Sequence, residues 1–302
     1  MADAATLVTP ANLLAALLTL LPFLGVAFFP RFAQERVAAL PHAAKLLGPA
    51  LLCIPYLLVT IPAGGFHWQA CMLYAGLPVC IAVLLWQAAQ LDSAARGNWR
   101  DFLILITLGL SVDLRWFEGA WPAHLAIFSK ILLLDAGIYG FVLIRRLDGT
   151  GPDGTGFDLR LRPVDLAIGL REAAFYTPIA LFLGLGLGFL HMHRIWPGLA
   201  PIAGAWIFTF FFIAVPEELF FRGWLQNLLE RRIGRTWSLL LAAMLFGLAH
   251  FNKRAAHFNW RYVLLAAIAG LFYGRAWRSR RRVAASAVTH ATVDALWSLW
   301  LR

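Results

Sequence analysis

Charge is scarce in this sequence. Asp, Glu, Lys and Arg make up 14% of its 302 residues, where an ordinary soluble domain carries about a quarter. That shortage excludes the charge-rich disordered class, and 25 glycines without a strict three-residue period exclude a collagen-like chain. Cysteine is rarer still. Cys53, Cys71 and Cys80 form no CxxC pair and each lies in an apolar run, so buried free thiols are expected rather than a disulfide framework or a cysteine zinc site. Before the first apolar run, Met1 to Pro10 contains no Lys or Arg. No AxA-like cleavage site follows that run, so its span is expected to stay in the mature protein.

What is present is apolar. Hydrophobic residues fill 61% of the positions, with 13 Trp and 23 Phe, and the mean hydropathy is +0.70. A soluble chain of this length could not hide so much apolar surface, and the composition is that of an integral membrane protein. The net charge of +10 raises the question of nucleic acid, but no recognisable binding module accompanies it. The basic residues sit in short clusters between apolar runs, where membrane topology accounts for them.

A helix needs about 20 apolar residues to cross a bilayer. On that measure ten candidate spans are read at 11–29, 45–61, 70–89, 102–112, 123–144, 172–191, 203–227, 237–251, 262–275 and 284–301. The expected fold is therefore all-α, a polytopic transmembrane helical bundle of about 8–10 spans. With the N-terminus outside, eighteen of the 26 Lys and Arg fall in inner loops and six in outer ones; Lys130 and Arg222 stay within spans. That asymmetry supports both the count and the orientation. The basic patch Arg278 to Arg282 then lies at the inner face, against anionic lipid.

The Gly/Asp-rich stretch from Gly149 to Gly156 (GTGPDGTG) divides the chain. The expected organisation is an N-terminal transmembrane extension over 1–148, a cytoplasmic linker over 149–162 and a second bundle over 163–302. Pro163 to Phe175 alternates apolar and charged residues at helical spacing, which predicts an interfacial helix leading into the next span.

A charge at the centre of a spanning helix costs roughly 2.5–3.5 kcal/mol on insertion scales, so intramembrane ionisable groups point to function. The N-terminal half has Lys130 and Asp135 in one span, expected to neutralise each other in a structural role. The C-terminal half has far more. Pro216-Glu217-Glu218-Leu219-Phe220-Phe221-Arg222 places two adjacent carboxylates in an apolar helix. Arg222 lies one turn after Glu218, close enough for an ion pair, whereas Glu217 points about 100° away from Glu218 and has no local partner. Such a carboxylate suits general-base work on water. His250 closes the next span, and His290 and Asp294 lie one turn apart in the last. Three helices thus carry two Glu, one Arg, two His and one Asp into the apolar layer. A single intramembrane His, or an acidic pair near a helix end, is ordinarily structural. Several such groups on separate spans stay uncompensated unless they meet, and water held between Glu and His would satisfy them together. Gly270 and Gly274 have the small-xxx-small spacing that lets helices approach closely. His191 and His193 lack further ligands and are read as solvent-facing.

The ordered set Glu217-Glu218-x-x-x-Arg222, Phe246-x-x-x-His250 and His290-x-x-x-Asp294 resembles the three-motif signature of the CPBP intramembrane proteases. That family comprises CAAX prenyl endopeptidases and bacteriocin-processing enzymes and is also called ABI. The resemblance covers about residues 165–302; residues 1–150 show none. It implies an intramembrane endopeptidase in which Glu217 activates water, His250 helps hold it and His290 sits beside the attacked carbonyl. Asp294 would take the oxyanion side, with Glu218 and Arg222 as the supporting pair. Prenyl endopeptidases typically have Asn at the last of these positions; Asp294 cannot donate a hydrogen bond unless protonated, which leaves orienting His290 or binding a metal as its alternatives. The resemblance leaves the cofactor open between none and a divalent metal such as zinc, which Glu217, His250 and His290 would hold. Metal-independent glutamate-protease chemistry is favoured over a metalloprotease because the HExxH pattern is lacking. The expected partners are a membrane-anchored protein or peptide substrate and the lipid bilayer of a bacterial inner membrane, and no nucleic acid. Two other functions fit intramembrane charges. A proton-coupled transporter predicts inverted repeats, which are not evident, and a non-catalytic membrane scaffold predicts loss of at least one of the six positions, yet all are ionisable.

Overall fold

The computed structural model describes residues 9–147, 154–193, 196–253 and 257–301. Among them there are helices and no strands. Six helical runs are long and apolar enough to cross a membrane: Pro10–Phe28, His42–Thr60, Trp68–Leu91, Ala123–Ile144, Pro163–Gly186 and Leu199–Leu248. The chain is an all-α polytopic transmembrane bundle. Its apolar exterior follows from the same composition, because large side chains such as Phe182, Leu199 and Trp237 point outward at 80%, 76% and 68% exposure. In lipid such a surface needs no polar cover, while helices satisfy the backbone internally. The other expected spans are also helical, at Trp99–Asp113, Trp260–Arg280 and Val283–Trp300.

Two compact units divide the chain at Leu147 and Asp148. The first contains α1 (Pro10–Phe28), α2 (Pro30–Ala39), α3 (His42–Leu47), α4 (Ile54–Thr60), α5 (Trp68–Leu91), α6 (Trp99–Asp113) and α7 (Ile127–Ile138). A 3-10 stretch, Gly48–Cys53, joins α3 to α4, and wide π turns extend α7 through Tyr139–Ile144. Helix α1 packs on α4 and α7. Its start is set locally, with Thr9 accepting from the Asn12 N–H at 3.1 Å and Pro10 placed where no donor is needed.

Lys130 and Asp135 do not pair in this unit. Five residues of helix separate side chains by about 140°, and Lys130 instead meets Glu118 at 2.9 Å. Neither carboxylate oxygen of Asp135 has a hydrogen-bond partner.

The second unit contains α8 (Pro163–Gly186), α9 (Leu199–Thr209), α10 (Val215–Glu218), α11 (Asn227–Leu248), α12 (Trp260–Arg280) and α13 (Val283–Trp300). The continuous helical run 199–248 would be about 75 Å long if straight, but Gly234 breaks it with φ +77°. The interfacial helix expected at 163–175 is part of one unbroken helix, α8. Its carboxylates are buried in ion pairs: Asp165 meets Arg282 at 2.8 Å, and Glu172 meets Arg171 at 2.8 Å and Arg275 at 3.2 Å. Helix α8 packs along α12 and α13, and α11 along α12. A Cβ at Gly247 would lie 2.5 Å from the Val263 carbonyl and one at Gly270 3.0 Å from Ala243 Cα. Small residues on both helices thus allow the close α11–α12 approach.

Of the expected linker, residues 149–153 lie outside the described residues. Residues 154–162 run extended against the second unit, with Thr155, Phe157 and Leu159 buried. Trp277 donates to the Thr155 carbonyl at 3.0 Å and the Val283 N–H to that of Gly156 at 3.0 Å. Position 156 demands glycine, because φ is +72° and an added Cβ would collide with the Arg281 carbonyl.

Candidate active site

The acidic pair sits in an irregular part of its helix. Pro216 has no N–H to give the Phe212 carbonyl, and π turns at Phe210–Ala214 and Leu219–Gln226 flank Val215–Glu218. Such widened turns occur frequently at functional sites. They leave the two glutamates in different surroundings: the Glu218 side chain is fully buried, whereas that of Glu217 is 28% exposed.

Glu218 is the hub. Its Oε2 accepts from Arg222 Nε at 3.1 Å and its Oε1 from His290 Nδ1 at 2.9 Å. Ser286 Oγ is also within hydrogen-bond reach of Oε2 and lies 2.9 Å from the Tyr273 carbonyl. Arg222, itself fully buried, extends over the Phe246 ring with 5.1 Å to the centroid. His290 is clamped between aromatic faces and edges, stacked on Tyr273 at 4.6 Å and meeting Phe246 edge-on at 5.7 Å. With Nδ1 committed to Glu218, Nε2 faces Asp294 at 3.5 Å and Glu217 at 4.0 Å.

His250 lies in the turn after α11. Its Nδ1 is 2.8 Å from the Phe246 carbonyl. A carbonyl only accepts, so Nδ1 carries the proton and Nε2 keeps a lone pair in the neutral ring. His250, His290 and Asp294 share the wall of a cavity of about 70 Å³ with Tyr262, Tyr273 and Trp297. About 10–15 Å³ of such space is needed per water, so the cavity can hold water beside three polar side chains. Glu217 stands next to it through His290, and its Oε2 has no hydrogen-bond partner.

Five of the six motif residues therefore meet around His290 within hydrogen-bond or ion-pair range or through Glu218, and His250 joins them across the cavity. Ser286, one turn before His290 on the same helix, could have been found from the spacing of four that links His290 to Asp294, whereas Tyr273 comes from another helix and left no such signal. Lys253, three residues beyond His250, places its ammonium 3.8 Å from Glu217 Oε1; a basic residue directly after a motif histidine was the available signal. Among the described residues, no three His, Cys, Asp or Glu side chains converge closely enough to hold a metal ion. Glu217, His250 and His290 do not form such a group as they stand; the Nδ1 contacts of the two imidazoles, to the Phe246 carbonyl and to Glu218, leave each Nε2 as the nitrogen that could bind a metal.

A helical membrane bundle enclosing carboxylates, imidazoles and room for water has the parts of a hydrolytic site. The model of a family described as type II CAAX prenyl endopeptidase Rce1-like matches residues 198–296, which is 99 of the 302 positions and includes all six motif residues. No curated protein and no solved structure matches the chain. The similarity is to the wider CAAX and Abi protease superfamily, a coarser kinship than the CPBP family that the motif residues resemble. Together with the bundle it supports an intramembrane hydrolytic function.

Proposed function

We propose that the protein is an intramembrane endopeptidase that hydrolyses a peptide bond in a membrane-anchored protein or peptide. One observation carries the reading: Glu217, the less buried glutamate, has an oxygen without a hydrogen bond beside His290, which lines a cavity able to hold water, while its neighbour Glu218 is fully engaged. A carboxylate with an oxygen left without a hydrogen bond can take a proton as a general base; a saturated one is a structural anchor.

In this scheme Glu217 takes a proton from a water held near His250, and the water oxygen bonds to the carbonyl carbon. The same proton passes to the departing amine nitrogen as the C–N bond breaks. His290 borders the attacked carbonyl, positioned by Glu218, and Arg222 balances that carboxylate. An ionised Asp294 only accepts hydrogen bonds, so the developing oxyanion needs a donor elsewhere. His290 Nε2, when protonated, and the Lys253 ammonium, both beside Glu217, are groups able to supply one.

The test compares protein termini, by mass spectrometry, in membranes carrying equal amounts of wild type or Glu217→Gln. Loss of a positioned general base lowers rate by about 10²–10⁴-fold. A terminus formed with wild type and lost with the variant is expected. Identical termini, with the natural partners expressed, would turn the reading to a non-catalytic scaffold.

A further inference from the structure

The helices around the site have two unlike ends. At one, the start of α8 meets the turn between α12 and α13, where Asp165 binds Arg282 at 2.8 Å. At the other, Phe189 after α8, Tyr262 near the start of α12 and Trp297 near the end of α13 meet through their rings, with centroids 4.9–5.7 Å apart. His250 belongs to this aromatic end, 4.8 Å from the Tyr262 ring.

The cavity runs from His290 and Tyr273 toward the aromatic end. Its wall continues along α13 through Asp294 and Trp297 to Leu301, and along α12 back to Tyr262. Eleven residues of helix, His290 to Leu301, measure about 16 Å. Among the described residues, no part of the lining comes from α13 before His290 or from α12 after Tyr273. That side is packed solid, with Ala276, Trp277 and every residue from Val283 to Thr289 at 0% exposure. Glu217 is also reached from the aromatic end, because its partner Lys253 stands in the turn after α11 with 39% of its side chain exposed.

The packed end is the more basic one. Nine arginines fall at 160–162, 231–235 and 278–282, against five basic residues in or beside the segments of the aromatic end, Arg194, Lys253, Arg254, Arg261 and Arg302. Short loops rich in Lys and Arg stay on the cytoplasmic side of a membrane.

We infer, resting on the peptidase reading above, that the site opens to the extracytoplasmic face. Its substrate is then a membrane-anchored protein or peptide whose scissile bond lies on the extracytoplasmic side of the anchor. Water and an extended peptide reach Glu217 and His290 from that face, while a cytoplasmic segment meets the packed, arginine-rich end.

The test places the full chain in a bacterial inner membrane with Val293→Cys in the cavity wall or Ser279→Cys, exposed beside Arg278 at the packed end. A small membrane-impermeant sulfonated methanethiosulfonate is added to spheroplasts or to inverted vesicles, and peptide mass spectrometry separates the new thiol from Cys53, Cys71 and Cys80. Only a thiolate in contact with water reacts. The Val293→Cys thiol should label at least about tenfold faster in spheroplasts, and that of Ser279→Cys faster in inverted vesicles. Melting temperature shows whether each variant folds, and Leu296→Cys, in the same wall, serves should Val293→Cys not fold. Faster labelling of the wall thiol in inverted vesicles, or none in either preparation, would overturn the inference. Termini that depend on Glu217 should map to the extracytoplasmic side of the substrate's anchor, and a cytoplasmic position would overturn the substrate assignment. Labelling as expected with no Glu217-dependent terminus would remove the peptidase reading, and the substrate with it, while the direction of the cavity stands.

Discussion

In the first unit Arg145 reaches Asp92 at 2.7 Å and Asp101 at 2.9 Å; in the second, Arg282 reaches Asp165 at 2.8 Å and Asp158 at 3.3 Å. Asp101 and Asp165 occupy matching places, each near the start of a helix and each accepting the N–H of the residue just before it, Asn98 at 2.8 Å and Arg162 at 2.9 Å. Both units thus use one device, an aspartate that caps its own helix with one oxygen and binds a distant arginine with its carboxylate. The difference lies further in. The first unit carries a solitary carboxylate on α7, whereas the second gathers Glu217, Glu218, Arg222, His290 and Asp294 into one connected group. Charge at helix ends organises both folds, but only the second unit connects charges within its helices. That contrast is why the proposed catalysis is assigned to the second unit.

The sharpest way to break the comparison is Glu218→Gln. Arg222 is fully buried and Glu218 is its counter-charge. Removing one member of a buried pair costs about 3–5 kcal/mol, so the second unit should lose stability by that order in denaturant melts. Cleavage should fall as well, since His290 loses the acceptor that orients it. Glu217→Gln, at a carboxylate with an unpartnered oxygen, should instead leave the melt nearly unchanged while removing cleavage. If both variants unfold alike, the division between anchor and base is wrong.

Arg145→Met and Arg282→Met test whether the two clamps are equivalent. Each replacement strands one deeply buried carboxylate, Asp101 or Asp165, both with fully buried side chains. The second aspartate of each clamp, at 16% and 15% exposure, can turn to water. A loss of about 1–3 kcal/mol is expected for each from the unsatisfied group. Hydrogen exchange at the starts of α6 and α8 would report the loosening locally. Protection lost at only one of the two helices would show that the shared geometry does not carry shared energetics.

Much of this was visible in the sequence, and the misreadings share a cause. Helical spacing of four links Glu218 to Arg222 and His290 to Asp294, so both contacts could be foreseen from periodicity. The helical bundle likewise follows from apolar runs long enough to span lipid. Contacts between helices were not foreseeable in the same way. Asp165 and Glu172 look like the polar face of an interfacial helix until Arg282 and Arg275 arrive from α12 and the turn after it. Lys130 looks paired with Asp135 until Glu118, from the stretch before α7, takes its ammonium. Tyr273 and Lys253 join the site only because α10, α12, α13 and the loop after α11 converge.

The smallest expected effect is a pH dependence common to both clamps. Burial alone would raise Asp158, but hydrogen bonds from the Arg160 side chain and backbone and the charges of Arg282 and Arg160 outweigh it, holding its carboxyl below the usual range. Asp92 behaves alike: burial opposes ionisation, while the Arg96 and Gly97 N–H groups and Arg145 overcome it. A carboxyl whose folded pKa is depressed contributes stability above its unfolded pKa, about 3.9 for Asp. That contribution is lost as pH falls through the lower folded value. Acid should therefore loosen both clamps below about pH 4, with no change from them between pH 5 and 8. Asp158→Asn should flatten the response at the start of α8 and leave that at α6 intact, and Asp92→Asn the reverse. Exchange rates at the two helix starts over that acid range would distinguish two independent clamps from a single cooperative acid transition, which would move both together in either variant.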